Sequence, residues 1–161
     1  MKLKIPYHQQ KTVYNCGPAS LQIVFDYFHV YVAQSDLAKK GHTNKNSGTS
    51  HKDMIKLATA NNFFCYVNND SQITEITDFL ARDLPVIINY IEPSDNDSHY
   101  AVVSGITHTD IILNDPWNGK NFSLSRKEFE NRWHDSKNAH KKWLMVLSKE
   151  KFELGKQYLP K

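Results

Sequence analysis

Apolar residues recur at helical spacing through the first half of the chain and in strand-like runs through the second. Leu21, Val24, Phe25 and Phe28 fall at i, i+3, i+4 and i+7, one stripe of an amphipathic helix. That spacing predicts a helix from about Cys16 to Phe28, with Asn15 at the N-cap and Pro18 in the first turn. Ser35 to Lys40 reads as a short helix stopped by Gly41, and the polar stretch from His42 to Ser50 reads as loop. Ser50 caps a third helix that turns Met54, Leu57 and Ala58 inward and ends near Asn61 and Asn62. Phe63 to Val67 is a strand, and Ser71 caps a fourth helix carrying Ile73, Ile76, Phe79 and Leu80.

The period then changes. Pro85 to Ile91 is a near-continuous apolar run, the pattern of a centrally placed strand. His99 to Ile106 is a second run, and Asp110 to Asn114 follows after only three residues, which predicts a hairpin. Ser125 to Trp133 reads as a short helix and Trp143 to Leu147 as a final strand. Helices first and a mostly antiparallel sheet second make an α+β architecture. No repeat or linker divides the chain, so residues 1–161 are expected to form one domain, with its core over about 5–147 and a tail over 148–161.

Composition narrows the function classes. The chain has 161 residues, 40% of them apolar, enough for one sizeable core. Its longest apolar run is far shorter than the roughly 20 residues of a membrane span. Residues 1–7 lack the apolar region of a secretory signal, so a cytoplasmic location is expected. The formal charge of +3 comes from scattered basic residues, which argues for solvated faces and against a nucleic-acid partner. The two cysteines, Cys16 and Cys65, cannot form a disulfide framework, and no zinc-binding spacing occurs; neither metal nor cofactor is expected.

Chemistry enters with Cys16. The first turn of a helix offers free N–H groups and a dipole that stabilise a thiolate. Gly17, next to it, leaves room for a substrate to approach. A thiolate needs a base, and His99 opens an apolar strand, where its ring can face a cleft. His29 ends the first helix, and His8, His42, His51, His108, His134 and His140 read as loop or surface positions. A hairpin centred near residues 107 and 108 sets His99 opposite about Asp115 or Pro116. A carboxylate there would hold the imidazole's tautomer and its charge. Acyl transfer also needs oxyanion donors. Gln10, in a loop that folds back over the helix start, offers its amide beside the Cys16 N–H, with Gln9 as its competitor. Cys65 reads as an unreactive buried thiol, Trp117 and Trp133 as core side chains before cleft ones, and Glu92 to Ser98 as a solvated acidic loop.

Gln10, then Cys16-Gly17-Pro18-Ala19-Ser20-Leu21, then His99-Tyr100-Ala101-Val102-Val103, then Asn114-Asp115-Pro116, resembles the C39 and C39-like peptidases. These are a branch of the papain-like cysteine peptidase superfamily, and the resemblance runs over about residues 5 to 147. It implies a papain-like fold, a helical N-terminal lobe packed on an antiparallel sheet lobe. It also implies roles: Cys16 the nucleophile, His99 the base, Asp115 the orienting acid and Gln10 the oxyanion-hole donor. Papain carries Asn where this branch carries Asp. Exporter domains of the family, which cut double-glycine leader peptides, often have Asp before the nucleophile and Cys at the position of Ser20. Asn15 and Ser20 make the chain more similar to freestanding C39-like proteins. The reaction implied is hydrolysis of a peptide or isopeptide bond in a peptide or protein substrate. An acyltransferase or amidase acting on a non-protein substrate, or a silent binding module, stays open.

Overall fold

The alternation of buried side chains along the strands produces a sheet covered on both faces. A computed structural model describes all residues, 1–161, as a six-stranded antiparallel sheet ordered β1-β6-β2-β3-β4-β5 with five helices. The strands are β1 (Phe64–Asn68), β2 (Val86–Ile91), β3 (Ser98–Ile106), β4 (Asp110–Asp115), β5 (Gly119–Ser125) and β6 (Leu144–Ser148). The helices are α1 (Cys16–Tyr27), α2 (Gln34–Lys40), α3 (His51–Ala60), α4 (Ile73–Ala81) and α5 (Arg126–Arg132).

In β2, Ile87 joins a core with Leu21, Phe25 and Leu57 of α1 and α3, whereas Val86 and Ile88 join one with Ile76, Phe79 and Phe129 of α4 and α5. Period-two alternation thus feeds two hydrophobic layers, which is why β2 and β3 read as unbroken apolar runs. Phe25 stacks on Phe63 at 5.0 Å between centroids, fixing α1 near the start of β1. The helices predicted from the apolar stripe therefore divide between the two faces, with α1 to α3 on one and α4 and α5 on the other. No helix is long and apolar enough to cross a membrane.

Several local expectations change. The Ser50 side chain does cap α3, accepting from the Asp53 N–H, and Ser125 caps α5 in the same way. Asn15 occupies the N-cap of α1 without a side-chain capping bond: its Nδ2 donates to Gln34 Oε1, and its Oδ1 is buried without a partner. Ser71 does not cap α4; that helix starts at Ile73 behind Gln72, and the Ser71 hydroxyl is buried without a partner. β5 was not expected at all. Only Leu124 of its seven residues is buried, so its pattern lacks the apolar face that marks a strand. The last segment lies against β1: Tyr158 bridges Cys65, and Phe152 enters the α4–α5 core.

Candidate active site

The first N–H groups of α1 have no partner within the helix, and Cys16 stands among them as its first residue. The thiol is half-buried, and the Tyr100 N–H of β3 points at its sulfur, 3.5 Å from Sγ. The neighbouring residue of β3, His99, is 6% exposed and sits beside the same thiol, near enough for its charge to act on it. Its Nε2 donates to Asp115 Oδ1 at 2.7 Å, so Nδ1 is the ring nitrogen left for Cys16. Cys16 comes from the helical layer, and His99 and Asp115 come from the sheet.

The β3–β4 ladder explains how close the hairpin arithmetic came. Pairing runs from Ile106↔Ile111 to Val102↔Asn114 with a shift between Val103 and Gly105. His99 and Asp115 lie just past the paired segment and meet through their side chains.

Asp115 is wholly buried and saturated with donors. Oδ1 also accepts the N–H groups of Trp117 at 2.8 Å and Asn118 at 2.9 Å. Oδ2 accepts the Tyr90 hydroxyl and, at 3.3 Å, the Asn118 amide. Tyr90 pairs with His99 across β2 and β3. Its role escaped the sequence because a tyrosine in an apolar run reads as core; only the cross-strand register reveals its hydroxyl beside a carboxylate.

These contacts set the charges. Burial pushes the Cys16 thiol up, but the charge of the nearby His99 and the Tyr100 N–H outweigh that, and the net direction is down. Burial pushes His99 down, yet the Cys16 thiolate and Asp115 carry it well up. Asp115 stays below its ordinary range despite burial, held by His99, Tyr90 and Asn118. The directions of these shifts favour a thiolate beside an imidazolium, braced by a carboxylate. Cys65 is the opposite case: fully buried in the core, its thiol is pushed up to about 12.

Cys16 and His99 open into a cleft of about 720 Å³. Gln10 lines it, with Nε2 donating to the Thr12 carbonyl at 2.8 Å, whereas Gln9 is exposed and outside the lining. Trp117 also lines the cleft and is 42% exposed, contrary to the core reading; of these two, Trp133, 1% exposed, is the core residue. The turn that feeds the Asp115 carboxylate swings the indole outward. Gly17 does not face the cleft: a Cβ there would meet Met54 Sδ and Thr49 at 3.0 Å, so the missing side chain serves the packing of α1 on the start of α3.

His51 was read as a surface residue and is not one. It stacks on Trp143 with ring centroids 4.0 Å apart, and Nδ1 lies 2.6 Å from the Tyr100 hydroxyl. That hydroxyl donates to the Thr49 carbonyl, so Nδ1 carries the proton. Burial, then the nearby charge of His140, lowers the ring to about 4, which keeps it neutral.

Known proteins share this fold. The family described as Peptidase_C39 like matches residues 2–141. Three solved structures superpose at a TM-score of 0.72. The peptidase domain of Streptococcus ComA, a bifunctional ABC transporter of a quorum-sensing pathway, is 23% identical, covering 91% of this chain and 98% of that one. A double glycine motif protease from an AMS/PCAT transporter, solved with its leader peptide, is 19% identical over 91% of this chain and 92% of that one. A C39-like peptidase from Bacillus anthracis is 15% identical over 93% and 98%. At these identities the likeness concerns the fold. No curated protein sequence matches the chain.

Proposed function

This chain belongs to the C39-like peptidase family, and on that premise we propose that it is a cysteine peptidase acting through Cys16, His99 and Asp115. The observation that carries the reading is a helix-start thiol that shares a cleft with the buried His99 imidazole, which Asp115 braces through Nε2 at 2.7 Å. A structural cysteine needs no such partner.

The Cys16 thiolate attacks the scissile carbonyl carbon, forming a C–S bond as the carbonyl electron pair moves to oxygen. The oxyanion lies between the Cys16 N–H and the Gln10 amide, whose second hydrogen is not used by Thr12. The intermediate collapses, the C–N bond breaks, and the His99 imidazolium gives its proton to the leaving amine. Neutral His99 then takes a proton from water as that water attacks the thioester, and C–S cleavage restores the thiolate. Asp115 keeps Nε2 protonated and so presents Nδ1 to the sulfur.

A peptide is the substrate class this cleft suits: it is partly open and lined mainly by polar residues, and the AMS/PCAT protease is a peptide complex of the same fold. The test is hydrolysis of an internally quenched random decapeptide pool. Wild-type protein should cleave it and form an acyl-enzyme detectable by mass, and Cys16→Ala should do neither. Equal cleavage by Cys16→Ala would refute the mechanism. Label transfer to an added amine in place of hydrolysis would assign the same site to an acyltransferase.

A further inference from the structure

Gln10 belongs to a stretch, residues 8–15, that has no helix or strand of its own. An oxyanion donor must nonetheless be held to a fraction of an ångström, since small misplacements of catalytic groups are costly. Gln34, the first residue of α2, provides the missing scaffold. It is 1% exposed and lies outside the cleft lining. Its Oε1 accepts from the Lys11 N–H at 2.8 Å and from Asn15 Nδ2 at 3.3 Å. Its Nε2 donates to the Gln9 carbonyl at 3.1 Å and to Gln22 Oε1 at 3.0 Å. Every hydrogen-bonding position of the carboxamide is used, and the partners fix which end is oxygen: Lys11 can only donate and Gln9 can only accept.

The arrangement brackets one residue. The carboxamide engages the main chain immediately before and immediately after Gln10, as a neighbouring strand would. From the other side the Gln10 N–H donates to the Pro116 carbonyl at 3.1 Å, in the turn that follows Asp115. The Gln10 backbone is thus clamped between α2 and the turn that braces His99. Through Asn15 the same carboxamide reaches the residue that precedes the nucleophile.

We infer that Gln34 is a positioning residue: its buried carboxamide sets the loop that presents the Gln10 amide to the oxyanion, without touching substrate. This rests on the peptidase reading above.

Two reagents separate the oxyanion hole from the nucleophile. Acylation by p-nitrophenyl acetate passes through an oxyanion; alkylation by iodoacetamide is a direct displacement at carbon and does not. Gln34→Met keeps the length of the side chain and removes its four hydrogen bonds. It should slow acylation about 10- to 100-fold, as expected for a displaced donor. Its alkylation rate should stay within about twofold of wild type, because the thiolate is intact. In a Gln10→Ala background the same substitution should slow acylation little further, since both act on one donor. Circular dichroism monitors folding; if Gln34→Met does not fold, Gln34→Asn, which withdraws the amide by one methylene, carries the same expectation. Wild-type acylation in the folded variant, or an equal loss with and without Gln10, would overturn the positioning role. A wild-type protein acylated no faster than Cys16→Ala would overturn the peptidase reading, and the inference with it.

Discussion

The two cysteines are a natural experiment in environment. Both are free thiols on a fold of mostly apolar interior, yet one is held down by an imidazolium at a helix start and the other is pushed up to about 12 by burial alone. Iodoacetamide near pH 6 should therefore label Cys16 and leave Cys65 unmodified in the folded protein, read by peptide mass mapping. Equal labelling would remove the basis for Cys16 as nucleophile. Residues whose chemistry depends on local placement were legible: a cysteine behind a helix start, a histidine opening a strand, an aspartate at the end of the next. Tyr90, His51 and Gln34 were not, because each meets partners far away in the chain. Gln34 reaches Gln9 across 25 residues, and His51 reaches Tyr100 across 49. A lone buried glutamine or tyrosine carries no local pattern that announces such a partner.

At the scale of elements, hydrophobic period together with cap and stop residues located every helix and all strands but one, with ends shifted by a residue or two. β5 was missed for the physical reason that an edge strand pairs on one side and keeps a polar surface. Caps failed at Asn15 and Ser71, whose side-chain oxygens are buried without a partner. The α1–α3 contact yields a prediction of its own. Alanine is favoured over glycine within a helix by up to about 1 kcal/mol, so Gly17→Ala would stabilise α1 if space allowed. It does not: the new methyl meets Thr49, whose hydroxyl is pinned to Thr43 at 2.6 Å and whose carbonyl accepts the Tyr100 hydroxyl. Overpacking against a fixed neighbour costs on the order of 1–3 kcal/mol and should win. The denaturation midpoint of Gly17→Ala should fall in urea unfolding, with the slope unchanged. A higher midpoint would show that Thr49 can yield, and that α1 does not depend on close approach there.

The molecule as a whole brings a helix start from one layer against a strand start from the sheet, and the coupling of Cys16 to His99 measures whether those layers are correctly seated. Burial alone would raise the thiol; the imidazolium reverses the direction. Removing the ring in His99→Ala leaves burial, the helix start and the Tyr100 N–H, so the thiol must titrate higher. Below both titration points the alkylation rate follows the thiolate fraction, and each unit of rise slows it about tenfold. Asp115→Ala should shift the curve the same way by less, because its effect passes through the ring it orients. Hydrolysis by wild-type protein adds a second limb. The acid side reports formation of the thiolate, while the alkaline side reports loss of the proton His99 must give to the leaving amine. Cys16 and Asp115 hold that proton on the ring above its ordinary range, so the alkaline limb should lie well above pH 7. Both limbs belong to the pair jointly. The measurement is alkylation rate against pH for the three proteins, with Cys65→Ser in each to silence the second thiol. Superimposable curves for wild type and His99→Ala would mean that the two layers do not bring these side chains into contact in solution. A silent cleft that binds without cutting would then be the better account of this fold.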